Sequence, residues 1–283
     1  MRTYPDPALV NFHSVFPQSE QARVVHQAKR YALLSEDKRA DEVAEAFMGQ
    51  FVAPDRLDGW GPPDTGKMPI VSVSRGMSTP GHYGYQPTIA GNPGDLDAMS
   101  DVMRPLWAKK QHVEMMAWGM GCYCVRTGWS EDLQRVVWEL VSPHVMWCDG
   151  HPDDPTTPIT QRHLRRRMVV EPGGYEPCDH YCWDVYDISG DVPSFRIVLA
   201  GPDGSMGADV TEQLLGETFE GEAYSFVGID GRPYLPYTMH RSHDDGTLWG
   251  WNRGRGAFRS SLFSVMYFTH SGKVARDAAY SGG

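Results

Sequence analysis

Apolar residues recur along this chain with two different periods, and the change near residue 120 separates a helical first part from a strand-rich middle. Glu20 to Leu34 reads as a helix capped by Ser19, with an acid in its first turn and bases later, as the helix dipole favours. Ser35 is expected to cap a second helix, in which Val43, Phe47 and Phe51 fall at i, i+4 and i+8 on one face. From Pro54 to Pro93 glycine and proline are dense. The single apolar run there, Pro69–Val73, predicts a strand within a long loop of the kind that suits a path over a neighbouring subunit. Asp95 to Met120 returns to helical spacing, and Pro105 is expected to start or kink a helix there.

Beyond Gly119, β-branched and aromatic residues dominate. Strands are predicted at Cys122–Trp129, Val136–Val141 and His144–Cys148, followed by an acidic, turn-rich loop from Asp149 to Pro158. Arg162–Val170, Tyr181–Ile188 and Phe195–Leu199 then form a meander. Helical spacing returns at Phe258, Leu262, Phe263, Met266, Tyr267 and His270. It predicts a long helix over Gly256–Tyr280, weakened at Gly272. The fold class is therefore α+β, with no internal repeat and no low-complexity tract.

Composition narrows the roles open to such a chain. With 283 residues, 41% of them apolar, it has material for a large core. Its 26 basic and 36 acidic residues give a formal charge of -10, which argues against tight phosphate neutralisation in a nucleic-acid groove. A negative wall repels a polyanion, a property suited to a conduit. No run approaches the roughly 18 consecutive apolar residues of a membrane-spanning helix. The start, Met1 to Pro7, lacks the features of a secretory signal, so synthesis and residence in a cytoplasm are expected. The five cysteines, at 122, 124, 148, 178 and 182, are then expected as free thiols.

Four constellations carry candidate chemistry. Cys178, His180 and Cys182, joined by Cys122, Cys124 or Cys148, supply zinc-type ligands, but without paired Cys-x-x-Cys knuckles the preferred reading is free thiols at a strand boundary. His240, His243, Asp244 and Asp245 crowd together as around a catalytic metal, in a stretch that reads as a turn. Arg162, Arg165, Arg166 and Arg167 form the one basic cluster of note. They suit either non-specific phosphate contact or, as the favoured reading, alternation on a strand that points Arg165 and Arg167 at acids of an adjacent subunit. Gly250 to Gly256 leads into the last helix but lacks the lysine and hydroxyl pair of a phosphate loop, so a hinge is preferred to an anion cradle. No nucleophile elbow or dinucleotide fingerprint is present.

Three further stretches, Gly231–Ser242 with its Pro-Tyr-Leu-Pro run, the Leu248-Trp249 loop and the helix ending Lys273–Tyr280, together resemble the portal (head-to-tail connector) proteins of tailed bacteriophages. Leu106–Gln111 and Glu139–Val145, with the Asp-Pro-rich loop after it, look like the wing of such a subunit. The resemblance implies an N-terminal helical segment at 1–53, a portal-like wing of helices and antiparallel strands at 54–255, and a long stem helix at 256–283. It reaches the stem helix and goes no further into the clip, returning stem helix and crown of that family. It also implies a ring of about twelve copies, at the capsid vertex of a virion and assembled in the host cytoplasm. Double-stranded DNA would pass through this ring, while the major capsid protein, a head-tail adaptor and the terminase would dock on it. Arg162, Arg165, Arg166, Arg167, Lys273 and Arg276 would contact the DNA channel or a neighbouring subunit. The expected role is structural, not enzymatic, with no catalytic, cofactor-binding or metal residue. The competing readings are a metal-dependent hydrolase built on His240, His243, Asp244 and Asp245, and another virion protein, such as a head-closure ring or a capsid-associated factor.

Overall fold

The computed structural model describes residues 12–35, 39–63, 65, 93–130, 132–170, 173–242, 246–250 and 255–281. The strand expected at Pro69–Val73 lies outside them.

Helix α1 spans Gln18–Leu34 and α2 spans Arg39–Met48. Ser19 does not cap α1: Pro17 stands at the cap, and its carbonyl accepts the N–H groups of Glu20 (2.8 Å) and Gln21 (3.2 Å). Ser35 closes α1 instead of opening α2, because its N–H (2.9 Å) and its hydroxyl (2.6 Å) both donate to the Tyr31 carbonyl. Helix α3 is a single turn, Pro54–Leu57, and a 3-10 turn at Asp58–Trp60 follows it. Helix α4 runs over Pro93–Met120, straight through Pro105, so the expected start or break is not made there. Its end is set by Gly121, whose φ of 94° suits only glycine and lets the chain turn at once into a strand.

That strand, β1 (Cys122–Ser130), is the centre of a three-stranded antiparallel sheet, flanked by β2 (Arg135–Val141) and β9 (Tyr237–Arg241). The second sheet is the predicted meander, extended. It holds β3 (Met146–Gly150), β4 (Pro158–Val170), β5 (Pro177–Asp187), β6 (Ser194–Ala200) and β7 (Met206–Asp209), and the short β8 (Phe219–Glu220) also pairs with β6. A 3-10 turn, Pro143–Val145, occupies the start of the strand predicted at His144 and carries the chain from one sheet to the other. Helix α5 (Thr211–Leu215) lies beside β6, and α6 (Arg255–Ser281) ends the described chain. The fold is α+β, as its sequence pattern predicts.

Strand alternation sorts the three-stranded sheet into two faces. Tyr123, Val125, Trp138 and Leu140 face a helical layer in which Leu33, Ala40, Met116 and Phe258 are buried, so the three sequence segments share one core. Two bonds pin α4 to β2: Trp138 Nε1 donates to the Val102 carbonyl (3.2 Å) and Lys109 Nζ to the Trp138 carbonyl (2.7 Å). The opposite face carries Cys122, Cys124 and Arg126 toward the six-stranded sheet. On the far side of that sheet the fully buried Trp183 meets Phe16 and Trp147 edge-on, at 4.9 and 5.9 Å.

Arg23 ties helix to sheet. Its guanidinium donates to the carbonyls of Pro143 and Met146 (both 2.9 Å) and to Gln27 Oε1 (2.6 Å), and lies 3.8 Å over the Trp249 ring. Replacement by Met removes these donors and strands two carbonyls at the turn between the sheets. Arg23→Met is therefore expected to lower stability by about 2 to 5 kcal/mol, read from the urea midpoint.

Candidate functional site

The two sheets meet along a seam, and at one end of it the residues are charged. In β4 the odd positions Gln161, His163, Arg165 and Arg167 share one face, and their β5 partners in register are Tyr186, Asp184, Cys182 and His180. Across the seam stand Arg126 of β1, Glu139 of β2 and Tyr237 of β9, themselves in one register row. Gln161 joins the sheets by two bonds to the Tyr237 backbone, donating to its carbonyl (2.7 Å) and accepting from its N–H (3.0 Å).

The seam holds three guanidiniums and two carboxylates. Arg165 Nη2 donates to both oxygens of Glu139 (2.8 Å each), and Arg165 Nε lies 2.9 Å from Asp184. Arg167 grips both oxygens of Asp184, at 2.7 and 2.8 Å. Burial opposes the charge of Arg165, but Tyr237, Asp184 and Glu139 outweigh it and hold the proton more firmly than usual. Tyr237 accepts a hydrogen bond from Arg165 and sits 2.7 Å from His163 Nδ1. Burial, then the charges of Arg165, Arg126 and Arg167, keep His163 neutral far below its ordinary range. Burial pushes the Tyr186 phenol up to about 12.

Each member of the sequence-predicted basic cluster meets an acid of its own chain, where the sequence pattern favours acids on an adjacent subunit. Arg165 and Arg167 turn inward as described. Arg162 points to the other face, bonded to Asp149 (2.6 Å) and stacked 4.0 Å over Trp147, and Arg166 pairs with the partly exposed Asp179. Lys273 lies 2.5 Å from Asp277, and Arg276 donates to the Trp60 carbonyl (2.6 Å). The structure does not gather these six residues into one basic surface. The residues that complete the seam are Arg126, Glu139, His163, Asp184, Tyr186 and Tyr237. Only Asp184 and Tyr186, alternating with Trp183 and Val185, carry a sequence signal; Arg126 stands as a single charge in β1, Glu139 shares β2 with Arg135, and β4 is charged on both faces.

The metal constellations fare differently. All five cysteines are free: Cys122, Cys124, Cys148 and Cys182 are buried, and Cys178 is exposed. Among the described residues no group of three or more His, Cys, Asp or Glu side chains is placed to hold a metal ion. His240 sits on β9 opposite Tyr123, while His243, Asp244 and Asp245 lie outside the described residues, as does most of the Gly250–Gly256 stretch. No helix is long and apolar enough to cross a membrane, among the described residues. A scan against protein-family models and a search of curated proteins both return no match to this chain.

Two outcomes follow from the seam. Asp184→Asn removes the shared counter-charge of Arg165 and Arg167 and is expected to cost about 3 to 5 kcal/mol in urea unfolding. Asp179→Asn, at the partly exposed pair, should cost under about 1 kcal/mol. The second outcome concerns pH. Burial holds His163 neutral and pushes His144 down to about 3, whereas an unfolded histidine takes up its proton near pH 6.5. Below that pH the unfolded state binds more protons, so stability falls as pH drops, by about 1.4 kcal/mol per unit for each histidine. Urea midpoints measured between about pH 7.5 and about pH 5 check the slope, and a flat profile is the contrary result.

Proposed function

We propose that this chain is a structural subunit of a tailed-phage portal, closing with sibling copies into a ring of about twelve at the capsid vertex. DNA would pass through that ring without being read. The observation that carries this reading is the division of α6 into two unlike stripes. Phe258, Ser261, Val265 and Thr269 are buried against the body of the chain, a continuous inward stripe. Phe263, Tyr267 and Val274 lie on the opposite face and are exposed, with Phe47 and Phe51 meeting Phe263 at 5.1 and 5.3 Å. Among the described side chains, none from His270 to Ala279 is buried.

An uncovered aromatic stripe on a long helix costs solvation free energy that burial against another copy recovers, at about 25 cal/mol per Å². The net charge of -10 and the internal pairing of the strand arginines support a wall that DNA slides past. In this reading Lys273 and Arg276 flank the channel or a sibling helix. The major capsid protein, a head-tail adaptor and the terminase are the expected partners, with assembly in the host cytoplasm and residence in the virion. The role needs no catalytic residue and no cofactor.

Mass photometry and negative-stain images of the purified chain test this. A closed ring with a central hole is expected, and Phe263→Glu combined with Tyr267→Glu should release single subunits whose circular dichroism is unchanged. A wild-type chain that stays monomeric at tens of micromolar would overturn the reading.

A further inference from the structure

We infer that the outer end of the sheet–sheet seam is a binding site for a small oxyanion, of the phosphate or sulfate class, centred on Arg126. The inference does not rest on the ring. It rests on how the five charges of the seam are shared. Glu139 has both oxygens engaged by Arg165, and Asp184 has both engaged by Arg167. With His163 neutral, three guanidiniums stand against two carboxylates, and Arg126, whose ion pair with Glu139 is the longest of the seam at 3.6 Å, is the least compensated.

Geometry singles out the same residue. Arg126 Nη1 lies 3.6 Å from Glu139, beyond hydrogen-bond reach, and Nη2 makes one long bond of 3.4 Å to the Tyr186 hydroxyl. Its Nε is buried without a hydrogen bond among the described residues, as are the Nε of Arg165 and of Arg167 and the Nε2 of His163, which is 1% exposed; the weakly engaged Nη groups are what set Arg126 apart. A guanidinium with open donors in a partly desolvated seam suits a tetrahedral oxyanion, which it binds through two parallel N–H bonds.

Space is present as well. Gly128 lies two residues on from Arg126, on the same face of β1. Among the described residues, a Cβ there would meet only Arg126 Nη1, at 3.6 Å, and Val137 Cγ2, at 3.9 Å. The missing side chain leaves the approach to Nη1 open, and the Arg126 side chain is 28% accessible from solvent. One bound monoanion would bring the seam to neutrality.

Titration with inorganic phosphate by calorimetry, at ionic strength held constant with chloride, tests the site. Wild-type protein is expected to bind one phosphate per chain with saturation, and to shift the Arg126 Nε–Hε resonance. Arg126→Gln should weaken binding by about ten-fold or more. Gly128→Leu, which keeps every charge and fills the space, should weaken it comparably, so the test survives if Arg126→Gln fails to fold. Arg166→Gln, at the partly exposed pair with Asp179, should leave binding unchanged. Equal affinity in wild type and Arg126→Gln, or a response that never saturates and is the same in all variants, overturns the assignment.

Discussion

The ion pairs that cross from one sheet to the other set the terms for the rest of this fold. Arg165 reaches Glu139 on the three-stranded sheet and Asp184 on its own, so both sheets must come within side-chain reach at one register. A slip of β4 by one residue would send Arg165 and Arg167 to the far face and bring Arg166 and Met168 into the seam, leaving a single β4 arginine to face both Glu139 and the buried Asp184. The penalty for that is far larger than any gain from the pairs themselves, because desolvation cancels most of their attraction. The network therefore selects one arrangement of two sheets more than it strengthens it.

The remaining layers accept that arrangement. Once β1 presents Cys122, Cys124 and Arg126 to the seam, alternation commits Tyr123 and Val125 to the other side, where α1, α4 and α6 cover them. Gly119 allows the close passage of α1 over the end of α4, since a methyl group there would overlap Leu34 Cδ1. Arg23 then locks α1 onto the turn that joins the sheets. Helices and strands are thus interleaved in sequence but layered in space: Leu33, Leu34, Ala40 and Ala44 share a core with Phe258 and Val265 of α6, while Phe16 and Val24 pack into the core around Trp183.

Much of this was legible in the residues alone, wherever the deciding forces were local. The strands at 122, 136 and 195 and the last helix are set by periodicity, and the structure places their ends within two residues of expectation. Local signals failed where a competitor was nearer: the Pro17 carbonyl displaced the Ser19 cap, and Ser35 found the Tyr31 carbonyl behind it. Pro105 was overridden by a helix anchored to β2 on both sides of it, through Val102 and Lys109. The arginine run was visible, but its acids are not neighbours in sequence. Glu139 lies 26 residues from Arg165, and Asp184 lies 17 from Arg167. Only the pairing of β4 with β5, and of the two sheets with each other, brings them together.

The sulfur chemistry of the chain follows from the same layering. A hydrogen bond with Cys122, together with burial, holds Cys124 well above the ordinary thiol range; burial does the same for Cys148 and pushes Cys182 up to about 11, leaving them protonated and shielded at neutral pH. Cys178, at the outer end of β5, is the exposed thiol. The folded chain therefore offers alkylating reagents one exposed address out of five cysteines. A fluorophore attached there would mark the rim of the six-stranded sheet, and slow labelling of the other four would report how often the sheets part.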